Sequence, residues 1–470
     1  MPLPPPHDVD PPAPGDPPGS DPAAALPRGA RSGDSGRPPA LARPHEAGGR
    51  AGGAAVPARD RSAGWPDVDR RVREEAIALG FDVVGVARAD EPLDLEHARY
   101  MEFIARGMHG EMTYLARYAD ERRRLDAPAI LEGARSIVCV GRRYARPAAD
   151  EARDPPLARS VARYARGQDY HNHVRKRLRR LAAFLRTLGP GVEARPLLDV
   201  EPVMERVWAA RAGIGFVGKN GLVITPGQGS YQLLGEVVTT LPLLADVPLA
   251  ERCGSCTRCL DACPTQAFAA PFVLDPRRCV AYLTIEQAGP PAEELRAGIG
   301  EHLFGCDACQ EVCPFNRTAP PPPARTAPFH PLKRWAGRDV DDLTALDERG
   351  FEALTPGTPL RRARREGLAR SAAIVAANRL ARGARGEEAA RAERALRAAL
   401  DHEDASVREV AAWGRARAGS AGATRGPGSV PVEPQAEAAQ AAQAAQAAQE
   451  SANGAAPAGQ PVDREDDVVG

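Results

Sequence analysis

Eight cysteines between positions 253 and 313 constrain this chain more than any other feature. They read Cys253-Gly-Ser-Cys256-Thr-Arg-Cys259-Leu-Asp-Ala-Cys263-Pro264, then a lone Cys279, then Cys306-Asp-Ala-Cys309-Gln-Glu-Val-Cys313-Pro314. The first run has the bacterial ferredoxin spacing C-x2-C-x2-C-x3-C-P. The second is the same motif with its first cysteine moved upstream to Cys279. Three thiolates at i, i+3 and i+6 wrap three corners of one cubane, while the fourth points away and ligates the other cluster. Two [4Fe–4S] clusters are therefore expected. One is held by Cys253, Cys256, Cys259 and Cys313, the other by Cys263, Cys279, Cys306 and Cys309. Pro264 and Pro314 end the loops, because proline fixes φ and removes an N–H. Zinc in paired C-x2-C knuckles fits neither run. Disulfides suit a small secreted chain, and no secretory signal is seen. The remaining cysteine, Cys139, lies in an apolar run and reads as a small buried hydrophobe.

Around this stretch the chain divides by composition. Residues 1–64 are rich in Pro, Gly, Ala, Asp and Arg and nearly free of large apolar side chains, so burial cannot offset their ordering entropy. Residues 419–470 include Ala-Ala-Gln repeats with no apolar face. Both ends are expected to be unstructured. No long uncharged apolar run marks a membrane span, so the expected setting is the cytoplasm and the expected state a monomer. The formal net charge of +0 names no partner, and any nucleic-acid surface must be a local patch.

The folded part begins near Trp65. Charges interleaved with Val68, Val72, Ala76 and Ile77 predict an amphipathic helix over 67–79, stopped by Gly80. A strand is expected over 81–88, helical stretches over 100–105 and 110–117, and a short apolar strand over 136–141. From His171 on, Val174, Leu178, Leu181 and Leu185 recur at helical spacing. Residues 194–199 read as a strand ending in Asp199, followed by a helix over 201–212 with Pro202 in its first turn. Strand, turn and strand follow over 222–225, 226–230 and 231–240. The expected fold is a mixed domain (α+β or α/β) over 65–245, then a ferredoxin-like domain with two [4Fe–4S] clusters over 246–318. A proline-rich linker and a HEAT-like α-helical repeat occupy 319–418. A lone repeat cannot bury its own face, so it is expected to dock on the rest of the chain.

Several other stretches carry candidate chemistry. Residues 157–188 hold Arg159, Arg163, Arg166, Arg175, Lys176, Arg177, Arg179, Arg180 and Arg186. The bland reading is a solvated helix face, and the sharper one a phosphate-binding face. The arginines of 361–370 pose the same choice. Gly213-Ile-Gly-Phe-Val-Gly218-Lys219-Asn220 nearly matches a P-loop, but Asn220 replaces the Mg²⁺-binding Ser/Thr and a helix precedes it, so no nucleotide site is expected. Asp199 stands at a strand end beside a helix start, where α/β sheets place their sites. Its alternative role is an N-cap. Asp169-Tyr-His171 begins like a cobalamin-ligating D-x-H-x-x-G, but Val174 holds the glycine position, so no axial histidine is assigned.

The order of motifs resembles the epoxyqueuosine reductase family, cobalamin-dependent enzymes of tRNA wobble-base modification. The residues that carry the resemblance are Gly110-Glu-Met-Thr-Tyr-Leu-Ala-Arg117, Arg163-Tyr-Ala-Arg-Gly-Gln-Asp-Tyr-His171, Leu198-Asp199-Val-Glu-Pro-Val-Met-Glu-Arg206, Ala212-Gly-Ile-Gly-Phe-Val-Gly-Lys219, Leu234-Gly-Glu236, Cys279-Val-Ala-Tyr-Leu-Thr-Ile-Glu286 and the final cysteine run. It spans roughly residues 66–416. The resemblance implies reduction of epoxyqueuosine in a tRNA anticodon stem-loop to queuosine, the last step of queuosine biosynthesis. The epoxide oxygen leaves as water, for two electrons and two protons. It implies a cobalamin-binding N-terminal domain that uses cob(II)alamin and cob(I)alamin, with the clusters relaying electrons from an external donor. Asp199 matches the family's proton donor, whose pKa burial against the corrin would raise. Arg117, Ala162, Val223, Leu234, Ala281, Ala288, Cys306 and Asp307 match positions against the cobalamin, although Val223 and Leu234 read nearly as well as ordinary strand core. A reductive dehalogenase shares these cofactors but usually carries a twin-arginine export signal, which this N-terminus does not show. A ferredoxin-type carrier explains the cysteines and leaves Asp199 without a role.

Overall fold

Ser136–Arg143 is buried at every position, which a strand achieves only when it has neighbours on both edges and cover on both faces. The computed structural model describes residues 66–320 and 328–423. The expected tails and part of the proline-rich linker lie outside the described residues. Strands are numbered β1 (Val83–Arg88), β2 (Ser136–Arg143), β3 (Ala194–Leu197), β4 (Phe216–Val217), β5 (Val223–Ile224), β6 (Gln232–Thr239), β7 (Phe268–Ala270) and β8 (Val273–Leu274). One sheet has the order β1-β2-β6-β3 and is antiparallel throughout. The first domain is therefore α+β. The parallel-sheet rule that put a site at the end of β3 does not apply here, and the position of Asp199 needs another account.

Alternation along the strands sorts the two faces. Val138, Val140 and Val237 pack against Val174, Leu178, Leu181 and Leu185 of the Tyr170–Arg186 helix, together with Val72 and Ala76 of the Pro66–Ala78 helix. Gly235 brings that layer close, since a Cβ there would stand 2.9 Å from Leu178 Cδ1. Ile137, Cys139 and Val238 point the other way, onto Trp208, Ala209 and Ala212 at the Glu205–Arg211 helix. Cys139 is a buried core residue.

Two helices differ from expectation. The one expected over 201–212 begins only at Glu205. Glu201 instead turns its carboxylate back to accept Leu198 N–H at 2.8 Å, which holds 198–204 as an irregular loop with Pro202 inside it. The stretch 110–117 is reduced to one turn, Thr113–Ala116, because Gly110 takes φ +56° against Tyr282.

The cysteine segment contributes the β7–β8 hairpin and several short helices. One apolar core runs from Leu157 and Val161 through Val280, Leu283 and Leu303 into Ala372, Leu396 and Val410. The helices Arg364–Ala381, Gly386–Leu400 and Ala405–Ala423 thus share their burial with the cluster segment instead of standing alone. No helix among the described residues is long and apolar enough to cross a membrane.

Candidate functional site

Past Leu197 the loop carries Asp199 into the wall of a cavity of about 200 Å³. Tyr170, Glu205, Val223, Ser230, Gln232 and Leu234 are among the other residues that line it. Asp199 is fixed by two neighbours from the start of the Tyr170–Arg186 helix. Tyr170 Oη donates to Oδ2, and His171 Nε2 lies 2.9 Å from Oδ1. His171 Nδ1 lies 2.7 Å from Asp169 Oδ1, and the Tyr170 ring stacks on the imidazole with centroids 4.1 Å apart. Burial opposes the imidazolium, but the hydrogen bonds to Asp169 and Asp199 outweigh it and push His171 up to about 9. At neutral pH the ring is therefore cationic and donates from both nitrogens. Burial and then the charge of Asp199 raise the Tyr170 phenol, so it stays a donor. The Asp199 side chain is itself 39% exposed, so protein packing alone does not provide the dry setting expected of it.

Behind Asp199 stand two further carboxyl groups. Glu205 opens its helix and lines the same cavity; burial, then the charge of Asp199, pushes it up to about 7. Glu236 lies on β6, opposite Cys139 on β2 and Leu197 on β3. It is 0% exposed, and neither carboxyl oxygen has a hydrogen-bond partner. Burial, then the charges of Glu205 and Asp199, raise it far above the usual carboxylate range.

The cysteines fall into two neighbourhoods. Cys253 feels Cys259, Cys259 feels Cys256 and Cys313, and Cys313 feels Cys256. Cys279 feels Cys263, Cys306 feels Cys279 and Cys263, and Cys309 feels Cys306 and Cys279 first and then Cys259, where the two neighbourhoods adjoin. Burial pushes the Cys253 and Cys306 thiols up to about 12, so a bound cation is what would hold them as thiolates. Backbone N–H groups already point at sulfur: Ala267 N to Cys263 Sγ at 3.2 Å and Ala308 N to Cys306 Sγ at 3.5 Å. Such bonds tune a cluster's potential. Among the described residues no three His, Cys, Asp or Glu side chains converge on a single-ion site. A cubane, whose ligands sit on separate iron corners, does not require that.

Cavity and cysteine loop are joined by hydrogen bonds. Ser230 Oγ donates to Gln310 Oε1 at 3.0 Å, and Gln310 Nε2 donates to Asp307 Oδ1 at 3.2 Å. Arg163 N–H donates to Asp307 Oδ2 at 2.8 Å. Asn316 Oδ1 accepts Ser230 N–H at 2.6 Å. The P-loop-like run also serves this junction, because Lys219 Nζ donates to the carbonyls of Gly254 at 2.5 Å and Cys256 at 2.9 Å.

Of the residues matched to cobalamin contacts, only Val223 and Leu234 line the cavity with Asp199. Ala162 and Asp307 are buried, and Cys306 half-buried, on the cysteine side of the junction. Ala281 is half-buried beside Cys279. Arg117 and Ala288 are exposed, and Ala288 N–H donates to Glu111 at 2.7 Å. The basic stretch is less free than its sequence suggests. Arg163 pairs with Glu151, Asp307 and Glu311, Arg166 with Asp154, and Arg177 and Arg186 donate to carbonyls. Arg159, Lys176, Arg179 and Arg180 remain exposed. In 361–370, Arg361 pairs with Glu352, Arg362 with Glu286 and Arg365 with Glu403, while Arg370 donates to the carbonyls of Gln287 and Ala288. Four of those arginines hold the helices in place. His171 was weighed from sequence only as an axial ligand and set aside, and Tyr170, Glu205, Glu236 and the Ser230–Gln310 link received no role there, although the first three lie in the segments that carry the resemblance. For Glu236 there was a signal, a carboxylate set between Leu233-Leu234 and Val237-Val238 in a strand.

An acidic cavity on an α+β domain, joined to a segment that carries eight cysteines in two ferredoxin-like runs, defines an iron–sulfur oxidoreductase. Residues 252–316 match the 4Fe-4S double cluster binding domain family, and residues 124–200 match the family described as Epoxyqueuosine reductase QueG, DUF1730. Over 309 residues the chain is 42% identical to an epoxyqueuosine reductase of Gloeobacter violaceus, covering 64% of this chain and 93% of that one. Over 366 residues it is 39% identical to one of Xanthomonas campestris pv. campestris, covering 75% and 97%. A crystal structure of epoxyqueuosine reductase with a tRNA-Tyr epoxyqueuosine-modified tRNA stem loop superposes with TM-score 0.61 at 27% identity, over 75% of this chain and 99% of that chain. The chain belongs to the epoxyqueuosine reductase family.

Proposed function

We propose that this chain reduces epoxyqueuosine to queuosine in tRNA, with Asp199 delivering a proton to the opening epoxide. What carries this reading, beyond family membership, is the junction itself. One cavity has a positioned carboxyl group on its wall and is tied through Ser230, Gln310 and Asp307 to the loop that bears Cys306 and Cys309.

The residues present fit the cofactors the family implies. Cys253, Cys256, Cys259 and Cys313 would hold one [4Fe–4S] cluster, and Cys263, Cys279, Cys306 and Cys309 the other; their thiol neighbourhoods support the grouping. Val223 and Leu234 give the cavity an apolar wall suited to one side of a corrin. Arg117, Ala162, Ala281, Ala288, Cys306 and Asp307 are assigned to the cobalamin by their match to the family. When bound, the clusters supply single electrons from an external donor and the corrinoid a strongly reducing metal centre. The chain's own residues do the rest. His171 and Tyr170 fix the Asp199 carboxyl group in one orientation, which matters because proton transfer requires hydrogen-bond reach. Lys176, Arg179 and Arg180 offer a face for tRNA phosphates, whose contacts position the stem-loop without reading its sequence.

The test is direct. Anaerobically reconstituted protein, carrying clusters and added cobalamin, is given a reductant and epoxyqueuosine-containing tRNA. The proposal expects conversion to queuosine. Binding of both cofactors without conversion would sink it.

A further inference from the structure

Two protons are consumed in each turnover of the reaction proposed above, and Asp199 carries one. While tRNA occupies the cavity, the second is best supplied by a group already inside. The face of β6 that points toward the cavity carries such groups. Glu236 shares the pleat direction of Leu234, which lines the cavity, and of Val238, which packs beneath the Glu205–Arg211 helix. Glu205 lines the cavity with Asp199.

We propose that Glu205 and Glu236 form an internal proton store that recharges Asp199 within a turnover. The inference rests on the epoxide-reductase reading.

The geometry favours this pair over a structural role. A buried carboxyl group costs several kcal/mol unless it is bonded, and ordinary structural carboxylates have partners. Glu236 has none at either oxygen. Facing the pair are Asp199 and Glu201 on the loop after β3, Arg206 on the helix of Glu205, and Arg122. Cys139 stands opposite on β2. Both cations are committed to carbonyls: Arg122 Nη1 donates to Val203 O at 3.1 Å, and Arg206 Nη1 to Gly221 O at 2.6 Å. Carboxyl groups crowded this way share protons, since they cannot all ionise together. With burial holding Glu205 near 7, that group exchanges its proton at working pH.

Asp199 protonates the epoxide oxygen as the first C–O bond breaks, and is left ionised. Glu205 returns a proton to Asp199, and Glu236 restores Glu205 through a bridging water, since it makes no direct hydrogen bond to that group. Asp199 then protonates the departing oxygen as the second C–O bond breaks, the carbon–carbon double bond forms and water leaves. The two electrons come singly from an external low-potential donor, which is oxidised, and they reduce the two epoxide carbons, ending in the new carbon–carbon π bond. His171 is the rival proton source, but it already has a structural task between Asp169 and Asp199.

The experiment uses the holoenzyme with epoxyqueuosine-tRNA. Glutamine is isosteric with a protonated glutamate, so Glu236→Gln keeps packing and removes the exchangeable proton. Glu205→Gln and Glu236→Gln are expected to lower kcat about 10²-fold, with KM for tRNA little changed. They should also remove the limb of the kcat–pH profile near neutrality. Glu205→Asp should restore part of the rate. Infrared spectra of wild-type protein should show protonated carboxyl bands that vanish in the two glutamine variants. An unchanged kcat and pH profile in both variants overturns the proposal. So does a limb that survives Glu205→Gln and disappears in His171→Gln. Should wild-type protein not convert the tRNA, the reductase reading fails. The infrared bands then still decide whether the pair holds protons at neutral pH, and fully ionised groups overturn the store on their own.

Discussion

The two faces of the four-stranded sheet use the same strands and carry opposite chemistry. On β6, Val237 points into a dry layer with Val138, Val140 and Leu178, while its neighbour Glu236 points toward Cys139, the Glu205–Arg211 helix and the Asp199 loop. The dry face repeats a solution open to any apolar residue of the right size. The acidic face buries a carboxyl group without a partner, which folding alone does not explain. Stability and function have been divided between alternate residues of one strand.

Four changes test that division. The largest effect is expected from copying the acid onto the wrong face: Val237→Glu should destabilise by about 2–7 kcal/mol, read by chemical denaturation, because no site is built for it. Asp199→Asn on the acidic face should keep the fold, losing only the charge that grips His171, yet cut turnover by about 10²–10⁴-fold, measured as kcat with both cofactors bound. Glu236→Met should do the reverse of the first change. Removing an unsatisfied buried acid should stabilise by about 1–3 kcal/mol while slowing turnover, and a lower melting temperature would deny the asymmetry. The smallest effect concerns pH. His171 is raised in the folded chain, so its grip on Asp199 is fully present below the unfolded value of about 6.5 and is lost as pH rises through about 9. The stability difference between wild type and His171→Ala should shrink across that window, and a difference that grows with pH would contradict the assignment.

The double-cluster segment over 252–316 was legible in the sequence because ferredoxin spacing is local: Cys253, Cys256 and Cys259 lie within seven residues, and Cys306 and Cys309 within four. Strands and helices with apolar periodicity were legible for the same reason, β2 and the Tyr170–Arg186 helix above all. The partners of Asp199 were not, since Tyr170 lies 29 residues upstream and only the packing of its helix across the sheet brings it near. The antiparallel order was hidden too, because β3 pairs with β6 instead of with its predecessor in the chain. Lys219 shows a motif misleading in form: its glycine-rich run holds backbone carbonyls of the cysteine loop instead of phosphate. Arginines of 361–370 looked available and are bound to acids and carbonyls of the fold. Charge counts along a sequence do not reveal which cations already have partners.

The most direct measurement is single-turnover nucleoside mass spectrometry on epoxyqueuosine-tRNA, with wild-type and Asp199→Asn protein matched for cluster and corrinoid content. Loss of one oxygen mass from the modified base is expected with wild type and almost none with the variant. Equal conversion by both proteins would contradict the role of Asp199 and, with it, the division of labour between the two faces of the sheet.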